Sequence, residues 1–76
     1  MTKDQFLINL REELELEVDI NFSSELKKLD EWDSMTAMVL IGFVSESFAV
    51  TLTAEDLSQM TTIDSLISII GSDKFN

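Results

Sequence analysis

The side chains able to do chemistry in this sequence make a short list. Histidine and cysteine are both absent, which removes the commonest general base, the commonest nitrogen ligand and any thiolate. Neither a zinc site nor a Ser-His-Asp triad can be assembled from this chain alone. Serines, threonines and lysines remain, and no imidazole is available to activate a hydroxyl. One serine stands apart. In DEWDSMTAMVL, Asp30 to Leu40, Ser34 sits where a polar stretch turns into a long apolar run. Asp33 and Ser34 are both good helix N-cap types, so a purely structural role for the serine is available. A chemical role is available too. A hydroxyl at a helix N-terminus lies near free backbone N–H groups, and a phosphate attached there meets the positive end of the helix dipole. The position is therefore suited to carrying a phosphoester. Asp30, Glu31 and Asp33 invite a calcium loop, but Trp32 interrupts them and the central glycine of such a loop is missing. No metal site is expected; any divalent cation drawn to these acids is incidental.

Charge sets the next bounds. The 76 residues carry a formal net charge of −10, and ten of the fifteen acids lie between Asp4 and Asp33. Such a chain repels nucleic acid and anionic membranes, which are bound through lysine and arginine. Its expected partners carry basic patches. Apolar residues make up 45% of the chain, too many for a disordered acidic tail. The N-terminal MTKDQFLINLREE lacks the apolar core of a signal peptide. No apolar run reaches membrane-spanning length. A single domain over 1–76, cytoplasmic and monomeric, with no nucleic-acid or membrane partner, is the expectation.

The elements that must hold Ser34 are helical. Thr2 with Gln5 reads as a capping box opening a first helix, with Phe6, Leu7, Leu10 and Leu14 as its apolar stripe. Glu12, Glu13, Glu15 and Glu17 crowd its end and read as a solvated face. Leu16, Val18, Ile20 and Phe22 then alternate with polar residues; a lone strand has no partner, so an extended loop laying apolar side chains on the core is expected. Leu26, Leu29 and Trp32 suggest a helical turn within it. The second helix is expected from Ser34 to about Phe48. It is apolar nearly all round, which predicts a central position, with Leu40, Ile41, Val44 and Phe48 as its core stripe and Met35, Met38 and Val39 on another side. Thr53 with Asp56 predicts a short third helix near Ala54 to Gln59, and Thr61 with Asp64 a last one, along which Ile63, Leu66, Ile67 and Ile70 recur at helical spacing before Gly71 stops it. The sum is an all-α, four-helix bundle with a long first loop and a short third helix.

This pattern resembles the acyl carrier protein family. The resemblance rests on Asp33-Ser34-Met35 before an apolar helix, on FAVTLTAEDL from Phe48 to Leu57, and on MTTIDSLI from Met60 to Ile67. The family's hallmark is Asp-Ser-Leu; Met35 keeps the size and apolarity of that leucine, and Thr53 stands where proline is usual. The likeness covers essentially the whole chain, its size and its acidity. It implies a protein that is not itself an enzyme. A phosphopantetheinyl transferase moves 4′-phosphopantetheine from coenzyme A onto Ser34, next to Asp33, and the arm carries acyl groups as thioesters. Trp32-Asp33-Ser34 lacks the glycine typical of peptidyl carriers, which favours acyl cargo.

The implied partners are acyl-transferring or condensing enzymes of fatty-acid, polyketide or other specialised pathways. They would approach the side of the second helix that offers Met35, Met38, Val39, Gly42, Ser45 and Glu46. The family usually presents several acids there, whereas Thr36 to Ser47 holds Glu46 alone. An alternative of a different class is a small acidic helical adaptor that binds a partner through the second helix, with Ser34 only a cap.

Overall fold

The computed structural model describes all 76 residues. Four α-helices, α1 (Lys3–Glu13), α2 (Ser34–Phe48), α3 (Ala54–Gln59) and α4 (Ile63–Ile70), are joined by irregular segments, with short 3₁₀ turns at Leu26–Lys28 and Ser72–Lys74 and no strand. The long first connection and the short third helix are both present.

Local chemistry sets each helix start. The Gln5 N–H donates to Thr2 Oγ1 at 3.0 Å. The expected capping box is only half made, because the Gln5 side chain turns forward to Asn9 Oδ1. Thr53 and Asp56 form the full reciprocal box at α3. At α4 the box is one residue later than expected: Thr62 pairs with Ser65, not Thr61 with Asp64. Two further N–H groups of that helix start, those of Ile63 and Asp64, donate to the loop carbonyls of Ser24 and Phe22. The first connection is thereby stitched to α4, which satisfies helix-terminal donors that would otherwise be orphaned.

The helix ends are equally specific. After Leu14, the Leu16 N–H reaches Arg11 O and the Glu15 N–H reaches Glu12 O, the paired bonds of a Schellman motif. Glu15 occupies the left-handed position at φ 54, and Ala49 does so after α2 at φ 57.

The core is a single cluster of fourteen buried apolar residues with no buried polar side chain. Phe6 is its hub. It stacks on Phe43 at 5.9 Å between ring centroids and meets Phe48 and Phe75 edge-on at 5.7 and 5.3 Å. Phe75 lies beyond Gly71, in a tail that folds back so that the Asn76 N–H bonds Met1 O. Leu16 is buried and Ile20 and Phe22 are half-buried, as the alternating pattern predicts, but Val18 faces solvent.

The expectation that α2 is central fails. Only Leu40 and Val44 of its fifteen residues are buried, with Ile41, Phe43 and Phe48 half-buried beside them. Its other side is open to solvent. In so small a chain the core has room for one face of each helix, and the small residues Gly42, Ser45 and Ser47 fall on the outer face of α2.

Candidate functional site

Ser34 is the first helical residue of α2, and it is exposed. It is not the cap. Asp33 is, with its Oδ1 accepting from the Thr36 N–H at 2.8 Å and from the Thr36 hydroxyl at 2.9 Å. These bonds favour the charged carboxylate, and together they hold the pKa of Asp33 below the ordinary carboxylate range. The Asp33 carbonyl accepts the first α-helical bond, from the Ala37 N–H. The Ser34 hydroxyl takes part in none of this. It makes no hydrogen bond within the protein, and the Ser34 N–H has no partner either, while the Met35 N–H faces the Asp33 carboxylate and helps to favour its charged form.

Beyond Ser34, the outer face of α2 is apolar for two turns. Met35 is 74% exposed and Met38 71%; with Val39 and Ser34 they line one shallow surface depression. Ser34, Met38, Gly42 and Glu46 fall on a single i, i+4 row. Gly42 leaves a gap in it: a Cβ built there would meet nothing within 4 Å. Glu46, twelve residues along from Ser34, lies about 18 Å away at 1.5 Å rise per residue, roughly two screening lengths at physiological salt. The predicted partner-facing residues thus share one solvent face, but Glu46 is electrostatically remote from Ser34.

The acids near Ser34 come from elsewhere. A second groove beside the start of α2 is lined by Glu13, Leu14, Glu15, Glu31, Asp33, Met35, Thr36 and Val39. Glu13 and Glu15, read from the sequence as a mere solvated face, are brought here by the turn that ends α1. Nothing in the residue pattern signals that turn, because Glu15 adopts a conformation usually left to glycine. Asp30 is exposed, and no group of three acids converges closely enough to hold a metal ion.

The interior offers no chamber. All three surface depressions are lined almost wholly by exposed or half-buried residues, with Leu14 the one buried member. No helix is long and apolar enough to cross a membrane. No family model matches the chain, and neither a curated protein nor a solved structure matches it.

Proposed function

We propose that this chain is an acyl carrier: a four-helix bundle of the acyl carrier protein kind, acting in the cytoplasm as a substrate of other enzymes and not as a catalyst. The observation that carries the reading is the division of labour between Asp33 and Ser34. Had the serine been the N-cap, its placement before an apolar helix would need no other explanation. Asp33 does that work, which leaves an exposed, unbonded hydroxyl at a helix start.

The surroundings suit a phosphoester. The unpaired N–H of Ser34 and the positive end of the fifteen-residue α2 favour an added phosphate there. In the modification step Ser34 Oγ attacks the β-phosphorus of coenzyme A. The Oγ–P bond forms, the bridging P–O bond breaks, 3′,5′-adenosine bisphosphate leaves with the electron pair, and the serine proton passes to a base of the transferase. Once attached, phosphopantetheine supplies the thiol that this chain lacks and holds acyl groups as thioesters. The chain's own contribution is to present the hydroxyl, to place Met35, Met38 and Val39 beside it for apolar contact with partners, and to gather Glu13, Glu15, Glu31 and Asp33 in a groove at the same helix start, where they attract basic enzyme surfaces.

The test is intact mass after incubation with coenzyme A and a broad-specificity phosphopantetheinyl transferase. A carrier gains one phosphopantetheinyl group. The exposed methionine face equally suits an adaptor docking a partner helix, and an adaptor gains nothing.

A further inference from the structure

Thr36 is the residue around Ser34 whose bonds go beyond what capping requires. Capping uses only its backbone N–H, which donates to Asp33 Oδ1. Its hydroxyl has a separate position, 2.9 Å from Asp33 Oδ1 and 3.0 Å from the Glu31 carbonyl oxygen. Both neighbours are acceptors, so the single hydroxyl proton is shared between them. The Glu31 carbonyl receives no other hydrogen bond. Glu31 in turn reaches the first connection, where its Oε2 accepts from the Glu17 N–H at 3.1 Å. A continuous set of bonds therefore runs from Glu17 through Glu31 and Thr36 to Asp33.

That set matters because the segment before Ser34, though Leu29 and Trp32 pack half-buried against the core, has few backbone bonds of its own. Between Leu29 and Ser34 the only backbone bond made by an N–H is Trp32 to Leu29 O. The Ser34 side chain has no partner of its own, so its hydroxyl goes where the backbone on either side puts it. Beside the Asp33 cap on the Thr36 N–H, the Thr36 hydroxyl is the group that ties Glu31 to the first turn of α2.

We propose that Thr36 is a positioning residue for the modification of Ser34, its hydroxyl pinning the Glu31–Asp33 turn so that Ser34 Oγ is held in a fixed place for the partner transferase. The proposal rests on the carrier reading above. Its chemistry is orientation: a nucleophile that wanders by an ångström loses much of the benefit of being bound near its target. Thr36→Val keeps the shape, the β-branch and the backbone N–H but removes the bridge. Thr36→Ser keeps the bridge and removes only a methyl group.

The experiment measures phosphopantetheinyl transfer from coenzyme A to the full chain by intact mass, as initial rate against carrier concentration, for the wild type, Thr36→Val and Thr36→Ser. Rates are divided by the folded fraction from each variant's melting curve, so a loss of stability cannot imitate a loss of positioning. Thr36→Val is expected to lower kcat roughly tenfold with KM little changed, and Thr36→Ser to stay within about threefold of wild type. Equal rates for Thr36→Val and wild type overturn the role of Thr36 while leaving the carrier reading in place. Equal losses for the valine and serine variants also overturn it, since they assign the effect to the methyl group. No mass gain on the wild-type chain overturns the carrier reading itself, and the role of Thr36 falls with it.

Discussion

Replacing Ser34 with alanine should cost the fold almost nothing, whereas the same change one residue earlier should cost it clearly. The physical difference is one of bonds. Ser34 makes no side-chain hydrogen bond and is exposed at the first helical position, so truncation opens no cavity and orphans no group. Alanine is the better helix former by about 0.5 kcal/mol, which sets both the size and the sign of the expected change. For a domain of this size that corresponds to a rise in melting temperature of roughly 2–4 °C at most. Asp33→Ala removes the acceptor for both the amide and the hydroxyl of Thr36. It also takes a negative charge from the positive end of α2. Its melting temperature should fall, and by more than Ser34→Ala moves it in either direction. Far-UV circular dichroism melts of the two variants beside wild type at neutral pH provide the measurement. If Ser34→Ala melts as low as Asp33→Ala, then the serine is the cap after all. The inference that its hydroxyl is left free would be wrong.

Other outcomes follow from the same geometry. The Asp33 contribution to stability should depend on pH with a defined sign: its folded-state pKa is depressed, so the contribution is full above the unfolded value near 3.8 and is lost as pH falls from there through the folded value. The gap in melting temperature between wild type and Asp33→Asn should therefore be constant near neutrality and close below that point; a gap that widens on acidification refutes the assignment. Ala49 holds a left-handed conformation at the end of α2, so Ala49→Gly should raise stability by about 1 kcal/mol, and urea unfolding with no gain would show that the αL cap is not strained. Met38→Ala should slow transfer by a cognate partner more than Glu46→Gln does, because Met38 stands one turn from Ser34 and Glu46 about 18 Å away; the reverse order, measured at low and moderate salt, would restore an acidic docking helix.

Helix positions were largely legible in the residues because the caps and the 3.6-residue period agree. Thr53 and Asp56 announce α3, and Ile63, Leu66, Ile67 and Ile70 are all buried on α4 as their spacing implies. The α4 cap slipped by one because Thr61 and Thr62 are equally able caps, and the choice is made by Ser65, whose hydroxyl accepts from both N–H groups. The position of α2 was misread for a different reason. An apolar helix suggests burial on every side, yet the face expected to meet partners, Met35, Met38 and Val39, is left open to solvent. Four phenylalanines from α1, α2 and the C-terminal tail pack together on the inner side instead. The tail itself gave no periodic signal, since Phe75 acts singly. At the site, Ser34 and Asp33 stood out from their types and order alone. Their division of roles did not, because both are N-cap residues and only the register of the first turn separates them. The approach of Glu13 and Glu15 to that turn depends on a non-glycine residue at positive φ, which no local pattern announces.

A carrier must present the Ser34 hydroxyl for modification. Intact-mass spectrometry of the wild type and Ser34→Ala, each incubated with coenzyme A and a broad-specificity phosphopantetheinyl transferase, tests it most directly. A single phosphopantetheinyl addition to the wild type is expected, located on Ser34 by peptide fragmentation, and none to a Ser34→Ala protein that is still fully helical. An unmodified wild type, or an alanine variant that still takes up the group, would contradict it.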